Sequence, residues 1–256
     1  MKKYYYTAVL CMKEKGYFGI ASLLGSYLLK AASMLVLLLV WRSLFRDSDT
    51  FDGLTLSQML TYTVLSSALD PMLNVRTPAS SWLHDGSMLS LYLRPAPVFG
   101  QLMAHTIGGW LMPLCGYGMP AILLAALFDV NVMPATLWFL PSLLLTVACG
   151  FALDFLFAAL LMRMKNLEWV VHSIREALTA VFTGALIPFA AMPWGLGNML
   201  ALTPFGSLAG APLALYAGLS RPESVLLLQL GWTVVLWPLA YLAFEKSRER
   251  LVSYGG

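Results

Sequence analysis

Charged side chains are scarce in this sequence. Only 11% of its 256 residues are Asp, Glu, Lys or Arg, whereas 59% are hydrophobic; soluble domains carry about 25% charged residues. Because even a large soluble core does not explain so little charge, the composition excludes an ordinary soluble domain and indicates apolar side chains that face lipid. The formal net charge of +3 is small, so nothing in the composition predicts a nucleic-acid partner.

Residues that usually form catalytic or metal sites are also few. The sequence has no GxxxxGK[ST] phosphate loop, so the chain is not expected to bind a nucleotide in that manner. Neither a zinc-protease HExxH helix nor a GxSxG nucleophile turn is recognisable in a segment that would face water. The three cysteines lie far apart without CxxC spacing, which argues against a disulfide framework or a zinc site. They are Cys11, Cys115 and Cys149. No catalytic residue, metal ligand or cofactor of its own is predicted.

Long apolar stretches dominate what is present. A bilayer core of about 30 Å needs about 20 apolar residues in a helix. The predicted spans are residues 17–45, 54–73, 98–128, 136–162, 168–190 and 223–245. The second of them is shorter and more polar than the others, and the positions of the basic residues support it.

The basic residues are distributed unevenly over the segments between these spans and over the parts of the spans next to them. With the N-terminus inside, twelve of the sixteen fall on the cytoplasmic side: Lys2, Lys3, Lys13, Lys15, Arg76, Arg94, Arg163, Lys165, Arg175, Lys246, Arg248 and Arg250. Only Arg42, Arg46 and Arg221 fall outside. Cytoplasmic segments of membrane proteins carry this excess of Lys and Arg. The pattern predicts six spans across the cytoplasmic (inner) membrane, with both termini in the cytoplasm.

Two further segments complete the predicted all-α membrane protein, a single transmembrane domain over residues 1–256. Residues 193–222 are apolar but interrupted by proline and glycine, which predicts a re-entrant helical hairpin at the outer face. Residues 1–16 combine lysines with tyrosines and predict an amphipathic helix in the cytoplasmic interface of the bilayer.

Two ionisable residues, Lys30 and Asp154, lie deep inside predicted spans. A charge at that depth costs about 2.5–3.5 kcal/mol, so each should face the interior and have a partner. One interpretation is that they pair with each other or line a translocation path. The other is that Lys30 extends toward the interface or binds a neighbouring Ser/Thr-lined helix face.

The longest cytoplasmic segment between spans covers residues 74–97. It includes Arg76, Thr77, Trp82, His84, Asp85 and Gly86. Trp82 on a short helix there could anchor in the membrane interface or fill a cleft on a partner protein.

Three ordered motifs resemble those of type-2 ABC exporter permeases, in particular the branch of viologen and daunorubicin-type exporters. The run from Asp85 to Pro95, with Gly86 and Arg94-Pro95, is similar to the family's G…L.RP segment. The second motif is similar to the family's outer hairpin and consists of Gly184–Pro188, Pro193, Pro204, Phe205 and Pro212. The closing Gly255-Gly256 is similar to the glycine pair that ends many members.

This resemblance implies a division of labour. Such permeases work as two membrane subunits, identical or related, joined to two P-loop ATPase subunits that bind ATP and Mg²⁺. The ATPase would dock on residues 2–16 and 76–86, and the outer hairpin with Pro188 and Pro193 would close the far end of the pathway. The alternative function is an ion-coupled secondary transporter that uses Lys30 and Asp154. Inverted repeats would be expected for that class, and none is visible.

Overall fold

The computed structural model describes residues 2–17, 20–46, 50–51, 53–164 and 168–248, and nearly all regular structure in them is helical. The longer helices are α1 (Lys2–Tyr17), α2 (Ile20–Leu44), α3 (Leu56–Ala68), α7 (Val98–Gly108), α8 (Leu111–Leu127), α9 (Phe139–Arg163), α10 (Glu168–Phe182) and α13 (Pro222–Arg248). The shorter ones are α4 (Asp70–Leu73), α5 (Ala79–His84), α6 (Met88–Tyr92), α11 (Leu196–Ala201) and α12 (Gly210–Tyr216). The motif at Gly255-Gly256 lies outside the described residues.

Strand structure, which the sequence did not predict, is limited in the described residues to one small hairpin. Its strands β1 (Thr50–Phe51) and β2 (Leu54–Thr55) pair antiparallel and lead into α3. Thr55 caps that helix reciprocally with Gln58, since each side chain bonds the backbone N–H of the other residue.

Four helical stretches of the described chain are long and apolar enough to cross a membrane. They are Leu24–Leu44, Val98–Leu127, Phe139–Arg163 and Pro222–Ser247, and they coincide with four of the predicted spans.

The predicted spans 54–73 and 168–190 form shorter helices. The first is divided into α3 and α4 near Asp70-Pro71. The second ends at Phe182, followed by Gly184 with a φ of +70° and then by Pro188. A side chain at Gly184 would be strained by this φ and would also meet the ring of Phe189. With 13 and 15 residues, α3 and α10 are shorter than the bilayer core.

The central element is α9. It packs against α13, α12, α10, α5 and α4, and its membrane-length stretch is far more buried than those of the other long helices. Phe155 on α9 meets the rings of Phe99 from α7 and Phe244 from α13 in the main hydrophobic core. A second core joins α2, α3 and α8.

The N-terminal segment predicted as an interfacial helix forms α1, which packs along α7. Cys11 is buried, whereas Tyr5 and Tyr6 are exposed. The contact depends on a glycine, because a Cβ built on Gly108 would lie 2.3 Å from the carbonyl oxygen of Ala8. The position of α1 in the membrane interface stays a prediction.

We expect Gly108→Ala to lower the free energy of unfolding by about 1–3 kcal/mol, because the added methyl group must displace backbone rather than a mobile side chain. The matched control is Gly118→Ala in α8, where nothing lies within 4 Å of the added carbon. Thermal unfolding in a non-ionic detergent measures both. Equal melting temperatures for the two variants would contradict the close α1–α7 contact.

Candidate functional site

A buried carboxylate on α9 joins three separate elements. Asp154 is only 3% exposed. It forms an ion pair with Arg175 of α10 and accepts hydrogen bonds from the Thr77 hydroxyl and from the Thr77 backbone N–H, the latter at 3.0 Å. Arg175 also donates to the carbonyl oxygen of Val75. These four residues, called the Asp154 cluster, fix α9, α10 and the segment before α5 to one another.

Lys30 and Asp154 do not have the partners expected from one sequence interpretation, in which they pair with each other. Lys30 pairs with Asp70 at 3.1 Å and Asp154 pairs with Arg175. The direct Lys30–Asp154 pair is therefore wrong. Arg175, which the charge distribution predicts on the cytoplasmic side, is buried within α10. A buried carboxylate is tolerated when a counter-charge and further donors replace its hydration, and Arg175 and Thr77 supply both.

A polar groove of about 410 Å³ lies between α2, α3, α4 and α10. Two ion pairs line it, Lys30–Asp70 and Arg76–Glu176. In each pair the distance from the side-chain nitrogen to the carboxylate oxygen is 3.1 Å. Six residues with hydroxyl side chains line the same space: Ser33, Thr63, Ser66, Ser67, Thr179 and Thr183. We call this space the charged groove.

A second cavity, of about 500 Å³, shares three residues with the charged groove. Asp70, Asn74 and Arg76 line both, so the chain between α4 and α5 separates two polar spaces. Ionisable side chains in such positions of membrane proteins commonly mark substrate or ion pathways. The charged groove is accordingly the candidate functional site.

The predicted coupling region surrounds α5. Trp82 packs its ring edge-to-face with the ring of His105, centroids 4.7 Å apart, and lies against the main core. It is partly buried within the chain, a packing that neither sequence interpretation of this residue anticipated. His84 ends α5, and Asp85 accepts a hydrogen bond from the backbone N–H of Ser87 at 2.8 Å.

The turn after α5 and the turn after α6 contain the remaining residues of the motif at 85–95. Gly86 has a φ of +77°, a conformation that favours glycine. Arg94 and Pro95 are exposed between α6 and α7. The buried amide of Gln101 donates to the carbonyl oxygens of Leu91 and Ala96 at 3.0 and 2.8 Å and so closes the turn between α6 and α7. A functional role of Arg94 and Pro95 stays a prediction.

The segment predicted as the outer hairpin contains two short helices, α11 and α12. Pro193 begins a short 3-10 turn, Pro204 and Phe205 lie between the helices, and Pro212 is buried in α12. Pro188 lines a cavity of about 610 Å³ between this segment and the beginning of α13.

An uncharged polar network fastens this segment to the central helices. Gln229 on α13 is fully buried. Its amide donates to the carbonyl oxygen of Ser207 at 2.9 Å and to the Thr146 hydroxyl at 3.1 Å, and it accepts from the Ser142 hydroxyl at 2.8 Å. These residues, called the Gln229 network, join α9, α13 and the chain between α11 and α12.

Several residues of both polar sites were missed at the sequence level. Asp70 and Glu176 in the groove, and Arg175 as the partner of Asp154, all lie inside the predicted spans 54–73 and 168–190. A charged residue inside a predicted span requires a partner, and this was the available signal. It identifies the candidates but not which of them pair.

The geometry thus defines an α-helical membrane protein with a charged groove beside a buried ionic cluster. A family profile described as ABC-2 family transporter protein matches residues 31–255. The chain therefore belongs to the ABC-2 family of transporter proteins, as its motifs predicted, and is a membrane transport component. No curated protein and no solved structure matches it significantly.

We expect Asp154→Asn and Arg175→Gln each to destabilise the protein by about 3–5 kcal/mol, because each leaves an uncompensated buried charge. The double variant should be more stable than the sum of the single effects implies, since no lone charge remains. The control is Arg76→Gln, which breaks a half-exposed pair worth about 1 kcal/mol or less. Thermal unfolding of the four variants measures the coupling, and strictly additive effects would contradict the buried pair.

Proposed function

We propose that the chain is the permease subunit of an ATP-driven exporter and that a separate ATP-binding cassette subunit supplies its energy. The family match over residues 31–255 is the observation that carries this proposal. The sequence has no phosphate loop of its own, so ATP and Mg²⁺ would be bound by the partner. Family membership favours this function over an ion-coupled secondary transporter.

In the proposed topology the chain crosses the cytoplasmic membrane six times, with both termini in the cytoplasm and residues 193–222 at the outer face. The short helices α3–α4 and α10 would complete the six spans. Their polar side chains line the charged groove, so these helices need not face lipid along their whole length. A second permease, identical or related, would face the groove and enclose a path.

In the proposed mechanism α5 transmits the movement of the ATPase. ATP binding shifts a conformational equilibrium only through contacts that differ between the two states. An ATPase docked on α1 and α5 would make such contacts at the cytoplasmic face. The Asp154 cluster supports this role because it ties Thr77, two residues before α5, to the central helix α9 and to α10.

The partner is tested by co-purification from the native host. We expect the chain to retain an ATP-binding cassette subunit and to hydrolyse no ATP when purified alone. Ser81→Arg on α5 should abolish retention of that subunit, because a bulky charge would enter the docking surface.

The matched control for this experiment is Ser224→Arg. Both serines are exposed, and each hydroxyl donates to a carbonyl oxygen three residues earlier at 3.1 Å. Ser224 lies on the side proposed to face away from the ATPase, so this variant should retain the subunit. Robust ATP hydrolysis by the isolated chain would contradict the proposal, and equal retention by both variants would contradict docking on α5.

The transmission step is tested with Thr77→Val. This change removes the hydrogen bond from the Thr77 hydroxyl to a buried charge and the bond that the hydroxyl accepts from the Ala79 backbone N–H at 3.3 Å, and it leaves the backbone bond from residue 77 in place. Hydrogen bonds to charged groups contribute about 1.5–3 kcal/mol, so we expect the free energy of unfolding to fall by about that amount and the substrate moved per ATP to fall with it.

Thr106→Val is the control for the transmission test. Thr106 is equally buried, but its hydroxyl bonds only within α7, to the Leu102 carbonyl oxygen. In reconstituted vesicles this variant should keep the ratio of transport to ATP hydrolysis. Equal losses of that ratio in the two variants would exclude a specific role of Thr77.

A further inference from the structure

The charged groove contains equal numbers of positive and negative side chains. Lys30 and Arg76 supply the positive charges, and Asp70 and Glu176 the negative ones. Among the described residues no other Asp, Glu, Lys or Arg lines this space. The groove is therefore neutral as a whole but strongly polar, with opposite charges only a few ångströms apart.

Both pairs have unused capacity for a ligand. The four side chains are between 34% and 51% exposed. An ammonium group has three donors, a guanidinium five, and each carboxylate accepts several hydrogen bonds. A ligand can therefore add its own charged groups to these pairs without separating them.

The charge balance limits which ligands fit. A ligand with a single charge would add an uncompensated charge to a neutral groove whose four charged side chains are already paired, which electrostatic complementarity disfavours. A ligand with one cationic and one anionic group leaves none, since its cation can face Asp70 or Glu176 and its anion Lys30 or Arg76. The electrostatics therefore favour a zwitterion over an ion of either sign.

Apolar residues border the same groove. Met34 and Leu37 of α2 line it from one side, and Leu186 lines it beyond the end of α10. Neighbouring residues Val36 and Leu39 of α2 are exposed and would contact lipid in a bilayer. An apolar group attached to the ligand could therefore lie beside α2 while the charged groups remain in the groove.

We propose that the charged groove binds zwitterionic amphiphiles, molecules with a paired cationic and anionic headgroup on an apolar chain. This proposal rests on the permease function and names the substrate class that the groove selects. Its test requires neither ATP nor a partner, so the two proposals fail independently.

The experiment measures binding to the purified chain in a non-ionic maltoside detergent. Three probes share a dodecyl chain and differ only in the headgroup: phosphoethanolamine, methyl phosphate (a diester with one negative charge) and trimethylammonium. His172 lies 3.3 Å from Glu176, so all three probes are compared at the same pH, 8. We expect the zwitterionic probe to bind about tenfold more tightly than either ion, a difference of about 1.4 kcal/mol.

Two single variants should change the preference in opposite directions. Asp70→Asn leaves the groove with a net positive charge, so the phosphate probe should become the tightest ligand. Lys30→Gln leaves a net negative charge and should favour the trimethylammonium probe. Glu176→Gln and Arg76→Gln repeat the test at the second pair, should a variant of the first pair fail to fold.

The control is Arg221→Gln, which removes an exposed charge that lines the cavity beside α13 instead. It should keep the wild-type order of the three probes. Equal binding of all three headgroups to the wild type would overturn the proposal. A shift in the same direction for Asp70→Asn and Lys30→Gln would overturn it as well.

Discussion

The buried carboxyl group of Asp154 constrains the elements packed around it. Neither lipid nor an apolar core can solvate a carboxylate, so its hydrogen-bond partners must come from the protein itself. Thr77 supplies two donors and Arg175 the counter-charge, and the second bond of Arg175 reaches the Val75 carbonyl oxygen. Separating any of these elements would expose a buried charge without a partner, which makes the cluster a stiff joint between α9, α10 and the chain leading into α5.

This joint also determines the geometry of the charged groove. Arg76 precedes Thr77 in the chain, and Glu176 follows Arg175 on α10. Consecutive residues on a helix point about 100° apart, so Arg175 can enter the core while Glu176 faces the groove. The Asp154 cluster and the groove pair Arg76–Glu176 therefore share two segments, the chain before α5 and α10, so a displacement of either segment would affect both. In the proposed mechanism, recognition in the groove and movement of α5 would be linked by adjacent residues, without a long pathway.

Features set by residues close together in the chain could largely be predicted from the sequence, whereas contacts between distant residues could not. The stretches that form α2, α7–α8, α9 and α13 were predictable because about 20 apolar residues in succession have few soluble alternatives. The ends of α3 and α10 were not, because they depend on local breaks at Asp70-Pro71 and Gly184. The motifs at 85–95 and 184–212 identified the family by their order alone. The pairing of Asp154 with residues 21 and 77 positions away could not be read from spacing, since a sequence shows which charges need partners but not which elements meet.

The two polar networks on α9 differ in how readily they can rearrange. Thr146 of the Gln229 network lies eight residues before Asp154, about 12 Å along the helix. Exchanging one neutral hydrogen bond for another costs little, because each is worth about 1 kcal/mol net, whereas breaking a buried ion pair costs several. A force applied through α5 would therefore be transmitted to α9 at Asp154, where the ion pair resists rearrangement. At the Gln229 network the same force would be relieved by an exchange of neutral hydrogen bonds. The chain between α11 and α12 is fastened there through Ser207, so the segment predicted to close the pathway is held to α9 and α13 by neutral hydrogen bonds rather than by an ion pair.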